Sequence, residues 1–283
     1  MKLLASPFYF SANPPGRQED NFGVRSNCKM GVVTDGVSPP YVGEPFLYGN
    51  KVSGGEMASA IICHEVGRNE GPSDIRQALL DGNRAIKICH NIIGKNHVDE
   101  VVGGCCAAAY QIVETEGQVR LVVAGDCGVL CQDQQGSHFL SNFDDAAYEL
   151  EGYGNEFFQQ CLVAANRLGI DSGWPVYDSF FKLKQKFRAN QHLGQGGHAI
   201  FNGDPAVQNC WTEKIIDLEG LEWLLLLTDG ALSADFHPCD AGKVAEAFNR
   251  GGVEAILALR DDGPPLPHIK RPEATIMVVK FGE

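Results

Sequence analysis

Twice in this 283-residue chain an apolar run stops at an aspartate followed by a glycine: GVVTDG over residues 31–36 and EWLLLLTDG over residues 222–230. Asp-Gly is a turn dipeptide, and a single instance is usually structural. The approach sets these two apart, because a strand buried on both faces would deliver each carboxylate, Asp35 and Asp229, to the edge of a sheet. Two further acids stand in similar places. Glu19 and Asp20 precede the apolar-polar run 21–25, and Asp126 closes RLVVAGD. Carboxylates gathered at one end of a sandwich repel one another strongly, so a convergence of this kind implies a hard cation held through oxygen ligands. Periodicity alone leaves the bland alternative open: unrelated turn residues on different edges.

Short runs rich in Val, Ile and Leu predict strands at 3–10, 21–25, 30–34, 105–113, 119–124, 129–132, 198–201, 224–228 and 275–281. Helices are expected from about Gly55, with Met57, Ala60, Ile61 and Val66 on one side, and from a Ser73 cap through Ile75, Leu79, Ile86 and Ile93. Two more helical pieces are expected over 154–190, and another over Asp240–Asn249 that ends at Gly251-Gly252. Strands separated by hairpin-like gaps, with helices grouped in pairs, give an α+β class: a four-layer α-β-β-α sandwich of two antiparallel sheets flanked by helix pairs. With no internal repeat or linker, residues 1–283 read as a single domain, carrying a loop insertion at 37–53 and a helical insertion at about 141–195.

Charge narrows the function. The chain carries 23 basic against 36 acidic residues, a net charge of −13. Nucleic acid and anionic membrane surfaces are therefore not expected as partners. The start, MKLLASPFYFSANPPG, reads as a strand entering a loop and not as a secretory signal. The apolar run from Trp223 to Leu227 is far too short to span a bilayer. Ten cysteines without a secretory signal suggest reduced, mostly buried thiols and a cytoplasmic location. Cys63-His64 and Cys89-His90 lack zinc-ligand spacing and read as packed helix residues. No phosphate-binding Walker loop, nucleophile elbow or dinucleotide fingerprint is present.

Order and wording then add a resemblance. The succession QEDNFGV, GVVTDG, SGGEMAS, VVGGCCAAAYQIV, LVVAGDCGVL, GGHAIFNGD, LLLLTDGALS and PEATIMVVKF resembles the magnesium- or manganese-dependent serine/threonine protein phosphatases of the type 2C class. It covers about residues 5–281, and the chain looks like a divergent, bacterial-like member. Each fragment is short, but their shared order is far more specific than any one. The resemblance implies a phosphomonoester hydrolase acting on phosphorylated protein. It implies two ions, Mn²⁺ or Mg²⁺, held by Asp20, Asp35, the carbonyl of Gly36 and Asp229. Asp35 would bridge the pair, Glu19 would touch metal-bound water, and Asp126 would serve a weaker third ion. A hydroxide shared by the ions would attack phosphorus in line, with no covalent phosphoenzyme. Arg17 is the natural phosphate clamp, and a monomer is expected. No histidine can be assigned as the leaving-group acid from His64 and His90.

Departures from the family pattern sharpen these expectations. The final ligand aspartate is replaced by Pro272, with Glu273 one place later, so Glu273 either reaches the same ion or points to the opposite face. Arg17 stands three residues before Asp20 where the family's arginine stands five before. Gly104-Cys105-Cys106 and Gly125-Asp126-Cys127 replace hydroxyl-bearing motifs. The second reading these changes support is a phosphatase-fold regulatory or binding module with impaired metal ligation; a third is hydrolysis of small phosphorylated metabolites.

Overall fold

The run Trp223–Leu227 is buried at every position, and its side chains alternate between two cores. Leu224 and Leu226 join a cluster with Val33, Ala108, Tyr110, Leu121, Val129 and Met277. Trp223, Leu225 and Leu227 join another with Leu130, Val244, Phe248 and Ile256. A strand with apolar residues on both faces must lie between two layers, and each of these leucines contributes about 2 kcal/mol by leaving water.

The computed structural model describes residues 2–10, 18–37, 46–47, 52–94, 103–169, 188–191, 196–233, 236–262 and 273–282. Its strands are β1 (Lys2–Phe10), β2 (Asn21–Val24), β3 (Met30–Val37), β4 (Phe46–Leu47), β5 (Val52–Ser53), β6 (Gly104–Val113), β7 (Gln118–Ala124), β8 (Gly128–Asp133), β9 (Gly136–Ser141), β10 (Thr212–Asp217), β11 (Trp223–Leu227) and β12 (Ala274–Gly282). The helices are α1 (Gly54–Gly67), α2 (Ile75–Ile92), α3 (Asp145–Leu168) and α4 (Ala241–Asp261). One five-stranded sheet runs β1-β12-β11-β8-β9 and the other β10-β7-β6-β3-β2. Pairing within both sheets is antiparallel throughout.

Three apolar layers hold these elements in order. Met57, Ile62 and Val66 of α1 and Ile75, Leu79 and Ile86 of α2 pack on Val32, Ala107, Ala109 and Val122 of the β3-containing sheet. The opposite face of that sheet meets the β11-containing sheet, whose far face is covered by α4. The layering is therefore α-β-β-α, as the sequence leads one to expect. No helix among the described residues is long and apolar enough to cross a membrane.

Several elements differ from expectation. β9 and β10 replace what read as loop. Residues 198–201 form only isolated bridges, Cys105 with Phe201 and Ala189 with His198. α2 is capped by Asp74, which accepts from the Arg76 amide, and not by Ser73. α3 begins at Asp145, nine residues before the expected start, because Asp144 caps it through the Ala147 amide. α4 runs through Gly251-Gly252 with a kink instead of ending there, since Ile256 beyond the kink returns to the core. The expected helix beyond residue 169 and most of the 37–53 loop lie outside the described residues.

Candidate metal centre

Four chain segments bring acids to one end of the sandwich. Asp35 stays within β3, directly opposite Cys106, and Gly36 opposite Cys105. Asp20 lies just before β2, Asp126 lies in the turn joining β7 to β8, and Asp229 opens a single 3₁₀ turn after β11. Ligand oxygens of Asp35, Asp126 and Asp229 all lie within 4.8 Å of one another. Asp20 is nearly fully buried, 3% exposed, and Asp35 lies within hydrogen-bonding reach of both Asp20 and Asp229.

The sequence folds this way locally for identifiable reasons. Gly36 runs so close to its neighbours that a Cβ there would lie 2.7 Å from the Gly55 carbonyl carbon and 2.8 Å from the Glu19 oxygen. Only glycine lets β3 pass between the Glu19–Asp20 segment and the start of α1. Ser53 caps α1 by accepting from the Glu56 amide at 3.0 Å, and its hydroxyl donates to Glu19 Oε1. Thr228 donates to Asp20 Oδ2 at 2.7 Å, while its own oxygen accepts from the Thr275 amide at 2.9 Å. Sequence reasoning missed Ser53 and Thr228. Thr228 does carry a signal, since it directly precedes Asp229.

The electrostatics are those of crowded like charges. Burial pushes the Asp20 carboxyl from 3.8 up to about 7, with Asp229 and Glu273 adding to the rise and the Thr228 hydroxyl opposing it. Burial likewise holds Asp35 well above the usual carboxylate range, and Asp229, Asp20 and Asp126 reinforce it. Among the described residues, the charges that act most on Asp35 are all negative. Such a group of oxygen donors fits a hard divalent cation, whose charge offsets what the fold otherwise relieves by keeping protons.

The remaining candidates are placed as follows. Glu273 Oε2 accepts from the amides of Glu19 and Asp20 at 2.8 and 2.9 Å, and Glu273 is not among the three acids whose ligand atoms converge. Arg17 and Pro272 lie outside the described residues. His64 is exposed on α1. His90 is buried on α2, where burial and Lys87 lower its pKa against the opposing Asn202 backbone contact. Cys106 and Cys127 are buried, and burial together with Asp126 pushes both thiols well up.

No family model matches the sequence, and no curated protein matches it. Solved structures do. The serine/threonine phosphatase PstP/Ppp of Mycobacterium tuberculosis shares the fold with a TM-score of 0.57 at 15% identity, over 99% of each chain. The catalytic domain of PstP in complex with two manganese ions gives 0.56 at 16% identity, again over 99% of each chain. The phosphatase Stp1 of Staphylococcus aureus gives 0.57 at 13% identity, over 100% of this chain and 96% of the other. The fold is that of bacterial type 2C serine/threonine phosphatases, from end to end.

Proposed function

We propose that this chain is a metal-dependent phosphomonoester hydrolase that acts on phosphoserine or phosphothreonine in proteins. The observation that carries this reading is the convergence of Asp35, Asp126 and Asp229 within 4.8 Å, at the end of a sandwich shared with known phosphatases over its whole length. Two divalent cations, Mn²⁺ or Mg²⁺, would supply Lewis acidity and a nucleophile at neutral pH. The chain's own contribution is orientation. Asp35 is held in β3, Asp20 is aimed by Thr228, and Asp229 is presented by the turn that ends β11. Gly36 belongs to the same set through its backbone, Asp126 is the acid for a third ion, and Arg17 is the clamp for the substrate's phosphate. An acidic surface, a net charge of −13, fits a protein substrate in preference to nucleic acid or an anionic membrane. A cytoplasmic monomer built as a single domain completes the reading.

The alternative of a regulatory module with impaired ligation has less support. Crowded carboxylates repel one another and destabilise a fold, and a chain that had abandoned metal would gain stability by losing them. The test is hydrolysis of an aryl phosphate and of phosphoserine and phosphothreonine peptides with Mn²⁺, Mg²⁺ or EDTA. Metal-dependent, EDTA-sensitive release of phosphate from the peptides is expected. Aryl phosphate turnover with no peptide turnover would move the assignment to small phosphorylated metabolites, and no turnover with either ion would overturn it.

A further inference from the structure

Asp126, unlike Asp35, lies outside the strands, in the tight turn that joins β7 to β8. Something else must fix it. Gly125, immediately before it, adopts φ +72, and a Cβ there would meet Cys106 Sγ at 2.1 Å. The turn therefore rests directly on the Cys106 thiol, which also accepts from the Asp126 amide. From the other side the Gly125 amide donates to Asn142 Oδ1 at 3.0 Å.

Asn142 stands at the end of β9 and is 2% exposed. Its Oδ1 also accepts from the Ala199 amide at 2.7 Å. Its Nδ2 donates to the Cys210 carbonyl at 2.8 Å and the Thr212 hydroxyl at 3.1 Å. Every hydrogen-bonding valence of the side-chain amide is thus satisfied in a dry setting, where the loss of one partner leaves others unpaired. One side chain joins the Asp126 turn to the segment around Ala199 and to the start of β10.

We propose that Asn142 and Cys106 are positioning residues that together hold Asp126 against Asp35 and Asp229, and so set the affinity of the ion that Asp126 serves. The proposal rests on the metal-centre reading above. Partners that orient a ligand typically control metal affinity by about 10- to 100-fold when removed. Each acts through the backbone of residues 125–126.

The test is a calorimetric Mn²⁺ titration, paired with melting temperatures in EDTA, on the parent and on Asp126→Asn, Asn142→Ala, Cys106→Ala, Cys106→Ser and Thr212→Val. Asp126→Asn identifies which ion depends on Asp126. That ion should weaken about 10- to 100-fold in Asn142→Ala and Cys106→Ala, with the others unchanged. Cys106→Ser keeps an acceptor for the Asp126 amide and should restore parental binding. Thr212→Val removes only a distal contact and should bind as the parent does. If Asn142→Ala fails to fold, the two Cys106 variants decide the matter by themselves. Equal weakening of every ion in step with the melting temperature would mean a purely structural role and overturn the proposal, as would parental isotherms in Asn142→Ala and Cys106→Ala. A parent that binds no Mn²⁺ would instead overturn the metal-centre reading, and this proposal with it.

Discussion

The two Asp-Gly dipeptides look alike in sequence and are built differently in the fold. Asp35-Gly36 remains inside β3, laddered to Cys106 and Cys105, with the backbone wedged against Glu19 and Gly55. Asp229-Gly230 ends its strand. Asp229 is exposed, and Gly230 is tethered by its carbonyl, which accepts from Arg260 Nη1 at 3.0 Å. The inner acid is thus fixed by steric closeness and feels every neighbouring carboxylate, whereas the outer one is fixed by a hydrogen bond to α4 and faces solvent. An identical dipeptide can serve as the rigid centre of a site or as its adjustable rim.

Substituting the two acids tests this contrast most strongly. Asp35→Ala should lower kcat/KM at least 10³-fold, about 4 kcal/mol of transition-state stabilisation, and should raise the melting temperature in EDTA by removing a half-buried, repelled carboxylate. Asp229→Ala should also impair turnover but raise the metal-free melting temperature less, because it removes an exposed carboxylate. Equal stability effects from the two would erase the distinction between centre and rim.

The pH dependence of the metal-free protein probes the same centre. Asp20 has a folded pKa of about 7 against 3.8 for the unfolded chain, so the native state holds a proton that the unfolded state has released. Stability must then fall as pH rises from about 4 to 7, by up to roughly 4 kcal/mol from Asp20. Asp35, also raised, extends the loss in the same direction. Mn²⁺ should abolish the decline by stabilising the ionised cluster. Urea melts in EDTA that strengthen from pH 4 to pH 7 would contradict the raised values.

Much of this site is legible in the chain because Asp35, Asp126 and Asp229 each terminate an apolar run, and strand burial then carries them to one end. What supports the acids is not legible. Thr228 and Asn142 act through partners 208 and 17 residues away; beyond the place of Thr228 directly before Asp229, nothing local marks either side chain as a long-range bond. β10 escapes notice because it is a sheet edge with little burial, so it lacks the alternation that reveals β7. α4 misleads for the converse reason. Its glycine pair is a sound stop signal locally, but burial of Ile256 draws the chain back into helix after the kink.

The two tethers can be cut separately. Gly36→Ala forces a methyl into backbone atoms that cannot swing aside, and should cost about 3 kcal/mol. Arg260→Leu removes a buried donor to Gly230 and should cost about 2 kcal/mol, the penalty of an unpaired carbonyl. Denaturant melts give both values. The Arg260 change should also weaken metal binding with Asp35 still in place, whereas a fully parental Mn²⁺ isotherm would show that the rim needs no tether.

Glu273 connects the two regions and gives the smallest of these effects. It precedes β12, whose Thr275 pairs with Thr228 beside Asp229, and its Oε2 receives the amides of Glu19 and Asp20. A carboxylate so committed holds the backbone that carries Asp20 towards Asp35. Its negative charge adds to Asp20's raised pKa, so removing that charge also relieves repulsion and offsets part of the lost bonding. Glu273→Gln keeps an acceptor oxygen at the same reach; Glu273→Ala keeps none. A clamp therefore predicts that Gln costs under about 1 kcal/mol and binds Mn²⁺ almost as the parent does, while Ala costs more and binds about tenfold more weakly. A ligand predicts the opposite ranking of causes: the neutral amide is a poor partner for a hard cation, so Gln should weaken the ion as much as Ala. Parallel Mn²⁺ titrations of the two variants separate the roles, and coincident weakening would return Glu273 to the metal's own coordination shell.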